Sequence, residues 1–147
     1  MNWLRGADRP ERAGRVLVVD DNEGVRTLID MVLGFGGYDV ATAEHGQAAL
    51  NLVAGWQPDV ILLDSAMPVM DGREFARQYR QLPGPHAPII MLTAADDGPA
   101  CAAEIGAAYL GKPFPPNLLL RTVEAQLRQN QPVVSAVAQP FLVGSAA

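Results

Sequence analysis

Three continuous apolar runs, Val16-Leu17-Val18-Val19, Val60-Ile61-Leu62-Leu63 and Ile89-Ile90-Met91-Leu92, each stop abruptly at a polar residue. A run of four apolar residues without alternation has no face to give to water, so each reads as a strand buried on both sides. Such strands need helices above and below, and the intervening sequence supplies them. Val25, Leu28, Ile29, Val32 and Leu33 recur at helical spacing behind Asn22, a suitable cap, and Gly34, Gly36 and Gly37 end that helix. Tyr38 to Thr42 reads as a weaker strand, and Gly46 to Ala54 as a short Ala-rich helix closed by Gly55 and Pro58. A third helix runs from Gly72 to about Gln81 with Phe75 and Tyr79 inward, and a fourth lies between Pro99 and Gly106. Ala108-Tyr109-Leu110 is a short last strand, and Pro115 or Pro116 opens a final helix with Leu119, Leu120, Val123 and Leu127 on its inner face. Five strand–helix units with short links imply a parallel sheet covered by helices on both faces.

The 147 residues, 49% apolar and 18% charged, fit one domain with a sizeable core. Residues 1–14 read as a flexible arm, 15–129 as the folded domain and 130–147 as a tail or linker. The single cysteine, Cys101, excludes an internal disulfide and a Cys-rich zinc site. His45 and His86 fall in polar loops and are given no role. No signal-peptide run or membrane-spanning stretch is visible, so a soluble, cytoplasmic protein without membrane insertion is expected. The net charge is −5, but the arm is basic, and residues 16–147 carry 7 basic against 14 acidic side chains. That acidic body argues against direct nucleic-acid contact, which needs phosphate-neutralising cations. Ten of the 11 basic residues are arginine; the only lysine is Lys112, which suggests a specific need for a compact ammonium there.

Ligands of an open parallel α/β sheet bind beyond the carboxyl ends of its strands. Those ends carry Asp20 and Asp21, Asp64, Thr93 and Lys112. Taken singly, each has an ordinary explanation as a helix-opening acid, a turn residue or a surface lysine. Their occurrence together at four strand ends points instead to a common site. Carboxylates suit a hard divalent cation such as Mg2+, and a hydroxyl and an ammonium suit phosphoryl oxygens.

The segments VLVVDDNEGVRTLI, VILLDSAMPVMDG, IIMLTA and GAAYLGKPF resemble the receiver domain of bacterial two-component response regulators, in order and over residues 15 to about 128. The resemblance implies a flavodoxin-like fold, a three-layer sandwich around a five-stranded parallel sheet of order 2-1-3-4-5. It makes Asp64 the phospho-acceptor and gives Asp21 and Asp64, with the Ala66 backbone carbonyl, to Mg2+, Asp20 completing the acidic pocket. Thr93 and Lys112 would hold phosphoryl oxygens, Tyr109 takes the position of a rotating aromatic, and the bond before Pro113 is expected to be cis. One departure stands out: Thr93 and Lys112 are 19 positions apart, fewer than is common in the family. The shortening falls between Ala94 and Tyr109, where Ile105 is the only large aliphatic anchor, so a loosely held fourth helix is expected.

The expected function is a stand-alone signalling switch. It takes a phosphoryl group from a sensor histidine kinase or histidine phosphotransfer protein and changes its binding to a downstream protein of unassigned identity. No DNA-binding domain is expected after residue 129, and a homodimer is one open arrangement. Enzymatic activity should be limited to self-phosphorylation and self-dephosphorylation. Alternatives are a phosphate sink or relay intermediate, a receiver cut from a longer regulator, and an Asp-nucleophile phosphohydrolase. The hydrolase needs an acid two residues after its nucleophile, where this chain has Ala66. A nucleotide-binding module of similar fold is disfavoured by the absence of GxxxxGK[ST] and GxGxxG turns. The uncharged tail, with Val133, Val134, Val137, Phe141, Leu142 and Val143, is expected to cover part of the surface formed by the fourth helix, last strand and last helix.

Overall fold

A computed structural model describes residues 14–67, 70–94 and 98–129. Strands and helices alternate: β1 (Gly14–Val19), α1 (Glu23–Phe35), β2 (Tyr38–Ala43), α2 (Gly46–Val53), β3 (Val60–Asp64), α3 (Gly72–Gln81), β4 (Ile89–Thr93), α4 (Gly98–Glu104), β5 (Ala108–Gly111) and α5 (Pro116–Gln129). The strands pair in parallel in the order β2-β1-β3-β4-β5. With helices on both faces, this is the covered parallel sheet that the alternation of apolar runs and helical periods implies, in the flavodoxin-like strand order that the resemblance implies.

Strand periodicity sorts the core into two layers. Leu17, Val19, Ile61, Leu63, Ile89 and Met91 face α2, α3 and α4, where Phe75 and Tyr79 stack with ring centroids 5.7 Å apart. Val16, Val18, Leu62, Ile90 and Leu92 face α1 and α5, meeting Ile29, Leu33, Leu119 and Val123. All of the strand residues named here are at most 1% exposed. At roughly 1.5–3 kcal/mol for each large aliphatic side chain, this double burial is the main force holding the strand ends in line. The register then fixes the rim: Val19 lies beside Leu63, Asp64 beside Leu92, and Thr93 beside Gly111.

Several boundaries differ from the sequence reading. Gly14, assigned to the arm, is the first residue of β1; it pairs with Tyr38 and has φ +139°, a value that favours glycine. In α1, Leu28 is 47% exposed although it shares the helical period, because Ile29 and Leu33 already fill the inner face. The fourth helix begins at Gly98 rather than Pro99, and its buried anchor is Ala102, with Ile105 only half-buried. The two histidines have structural roles that sequence alone did not reveal. His45 caps α2, its Nδ1 accepting from the Ala48 N–H at 3.1 Å. His86 sits 2.7 Å from the Leu82 carbonyl and meets the Tyr79 ring edge-on. Among the described residues, no helix is long and apolar enough to cross a membrane. The arm up to residue 13 and the tail from residue 130 lie outside the described residues.

Candidate functional site

Asp20 directly follows β1 and is fully buried. A carboxylate tolerates such burial only when its oxygens are satisfied. Oδ1 accepts from the Asn22 N–H at 2.9 Å, and Oδ2 from Lys112 Nζ at 3.0 Å. The backbone is pinned as well: the Asp20 N–H donates to the Ala43 carbonyl, and its own carbonyl accepts from Arg26 at 2.8 Å. Asp21, one residue on, is exposed.

Asp64 ends β3 and is 5% exposed. Its Oδ1 accepts from the Ala66 N–H at 3.3 Å and from Lys112 Nζ at 3.4 Å. The turn carrying it is held from both sides. Met67 and Met70 are buried, and Gly72 opens α3 so close that a Cβ there would lie 2.9 Å from the Asp64 carbonyl oxygen. Glycine in the Met70-Asp71-Gly72 segment is thus a packing requirement of the Asp64 turn, and Asp71 caps the same helix by accepting from the Glu74 N–H. Residues 68–69 lie outside the described residues.

Lys112 follows β5, and its N–H donates to the Thr93 carbonyl at 2.8 Å. The Lys112–Pro113 peptide is cis. Burial works against the ammonium, but the hydrogen bond and charge of Asp20, with the charge of Asp64, outweigh it and raise its pKa. Asp64 moves the other way from a typical paired acid. Burial, reinforced by the negative charge of Asp20, pushes its pKa up to about 6 despite the opposing pull of Lys112. One ammonium does not neutralise these acids.

Carboxylate oxygens of Asp20, Asp21 and Asp64 all lie within 4.8 Å of one another. Three hard oxygen donors, with a shortfall of positive charge and one acid open to solvent, fit a divalent cation. Beside them is a cavity of about 420 Å³ lined by Asp64, Ser65, Ala66, Thr93, Ala94 and Lys112. Thr93, at the end of β4, is buried, whereas Tyr109 on β5 is 41% exposed. The structure therefore gathers Asp20, Asp21, Asp64, Ala66, Thr93 and Lys112 at one rim, with Tyr109 on the neighbouring edge strand.

The sequence profile of the response regulator receiver domain matches residues 16–124. Response regulator MprA from Mycolicibacterium vanbaalenii is 42% identical over 121 residues, covering 80% of this chain and 52% of that protein. The chain thus spans about half the length of the curated relatives it matches. Among solved structures, the chemotaxis protein CheY4 of Vibrio cholerae superimposes with a TM-score of 0.67 at 36% identity, over 77% of this chain and 98% of that one. The BeF3-activated N-terminal receiver domain of Klebsiella pneumoniae RstA gives 0.69 at 33% identity, over 78% and 98%. On these matches, the chain belongs to the receiver domain family of response regulators.

Proposed function

We propose that this receiver is a phosphorylation-dependent switch in which Asp64 accepts a phosphoryl group from the phosphohistidine of a sensor histidine kinase or histidine phosphotransfer protein. The observation that carries this reading is the Lys112 ammonium, 3.0 Å from Asp20 and 3.4 Å from Asp64 beside a cavity that Thr93 also lines. A carboxylate oxygen of Asp64 attacks phosphorus, the P–N bond breaks, and the imidazole leaves with the bonding pair and takes a proton from solvent. Asp20, Asp21, Asp64 and the Ala66 carbonyl are the groups that would hold Mg2+, which when bound supplies charge neutralisation for the phosphoryl oxygens. Lys112 and the Thr93 hydroxyl would bind those oxygens. Thr93 drawn toward the phosphoryl group would leave room for Tyr109 to turn inward, changing the surface a downstream protein meets.

The metal reading is tested at its exposed acid. Asp21→Ala should leave the fold intact and weaken Mg2+ binding by on the order of tenfold or more, since even outer-shell partners of metal sites carry effects of that size. Calorimetric titration with Mg2+ reads this directly, and an unchanged affinity would remove Asp21 from the ligand set.

Phosphoryl lifetime follows from what surrounds Asp64. Ala66 and Ala94 have no side-chain polar atom to orient an attacking water. Slow self-dephosphorylation is therefore expected, and Ala66→Asn should speed decay by up to roughly tenfold by positioning water. Acid-quenched decay of labelled protein measures this; equal lifetimes for the variant and wild type would refute it.

A further inference from the structure

Gly98, the first residue of α4, is buried against two side chains from different strands. A Cβ on Gly98 would lie 2.4 Å from Thr93 Cγ2 and 2.4 Å from Tyr109 Cε1, with Cδ1 at 3.0 Å. Gly111, two residues beyond the tyrosine on the same strand, makes a second close approach: a Cβ there would be 2.9 Å from the Tyr109 hydroxyl. The ring thus rests between two glycines, and at Gly98 its edge shares one small space with the Thr93 methyl.

We infer that Gly98 is the positioning residue that couples Thr93 to Tyr109, because the room its missing side chain leaves is the room through which the methyl and the ring act on each other. This rests on the proposed roles of those two residues in the switch and adds the element that links them. Both neighbours cannot accommodate a new carbon equally. Thr93 is β-branched, in a central strand and 2% exposed, so it has little freedom. Tyr109 is on an edge strand and 41% exposed, so its ring can leave toward solvent. A methyl at residue 98 should therefore evict the ring and fill the place it would turn into, separating phosphoryl uptake from the response of Tyr109. The three atoms nearest a Cβ on Gly98 belong to Thr93 and Tyr109 and none to Asp20, Asp21 or Asp64, so uptake at Asp64 should continue.

The chain has three tyrosines, Tyr38, Tyr79 and Tyr109. Uniform 3-fluorotyrosine labelling of the full chain, with Tyr109→Phe to assign the resonance, lets fluorine NMR follow Tyr109 before and after treatment with acetyl phosphate and Mg2+. In wild type the Tyr109 resonance should move when Asp64 is labelled. In untreated Gly98→Ala it should already sit nearer the solvent-exposed position, and treatment should still label Asp64 while the resonance stays still. Adding Thr93→Ser, which removes Cγ2 and keeps the hydroxyl, should make room for the new methyl and return at least part of the response. A purely helical role for residue 98 predicts the reverse, since alanine favours helix and would leave Tyr109 untouched. A Tyr109 resonance that still responds in Gly98→Ala, or that is unmoved by the substitution before treatment, overturns the inference. A wild-type resonance that ignores labelling would instead refute the switch roles of Thr93 and Tyr109, and the untreated Gly98→Ala spectrum would still judge whether Gly98 seats the ring.

Discussion

Replacing Asp64 with asparagine is expected to abolish phosphoryl uptake and, with no metal present, to make the protein more stable at neutral pH. The first effect is chemical: an amide oxygen carries no charge and does not form the acyl phosphate. The second follows from the crowding of the site. An ordinary aspartate has a pKa of 3.8, and burial beside Asp20 pushes Asp64 up to about 6. The folded protein therefore holds a proton at Asp64 more readily than the unfolded chain. The stability this group contributes is present in full below about pH 4 and is lost as pH rises through about 6. At neutral pH the ionised carboxylate is a liability of about 1–3 kcal/mol, allowing for screening at the open side of the cavity. Urea unfolding in the presence of a chelator should show Asp64→Asn gaining on wild type by that amount between about pH 4 and pH 7. Parallel curves, or a variant less stable throughout, would mean that Asp64 is not held under strain by its neighbours.

Removing the ammonium should have the second-largest effect. Among the described residues, Lys112 is the one cation that forms an ion pair with the carboxylates of Asp20 and Asp64. A hydrogen bond to a charged group contributes about 1.5–3 kcal/mol, so Lys112→Ala should slow phosphoryl uptake by about ten- to a hundredfold. It should also push Asp64 further up, because the one favourable charge near it is gone. Lys112→Arg tests charge against shape. A planar guanidinium cannot reproduce a point contact to two acids set 3.0 and 3.4 Å away, so uptake should be only partly recovered and phosphorylation-dependent partner binding should stay impaired. Full recovery by arginine would show that charge alone is needed, and a rate unchanged in Lys112→Ala would remove the lysine from the reaction.

The layers of the fold were legible because burial on both faces leaves a plain trace. Val16 to Val19, Val60 to Leu63 and Ile89 to Leu92 are unbroken apolar runs, and all are buried strand interior. The rim followed from the same runs, since whatever ends a parallel strand is carried to one edge of the sheet. Asp20, Asp64, Thr93 and Lys112 meet there for that reason. What stayed hidden depends on contacts between distant segments, which periodicity does not record. Leu28 obeys the helical period and still faces outward. Gly72 read as an ordinary helix opener and Gly98 drew no reading, although at each another residue occupies the space of a Cβ, the Asp64 backbone at one and Thr93 with Tyr109 at the other. A polar loop histidine gives no sign that it caps a helix, as His45 does. The raised pKa of Asp64 was equally out of reach, because it depends on how completely the fold buries Asp64 and how near it brings Asp20.

The account turns on Asp64 as the phosphoryl acceptor. The most direct measurement is intact-mass spectrometry of the full chain after incubation with acetyl phosphate, with and without Mg2+, followed by borohydride reduction to mark the acylated residue. The account predicts the mass of one phosphoryl group, gained only with Mg2+, with the reduced residue at Asp64 and no gain in Asp64→Asn. A protein that gains no mass, or that gains it at another residue while Asp64→Asn labels as wild type does, would contradict the account at its centre.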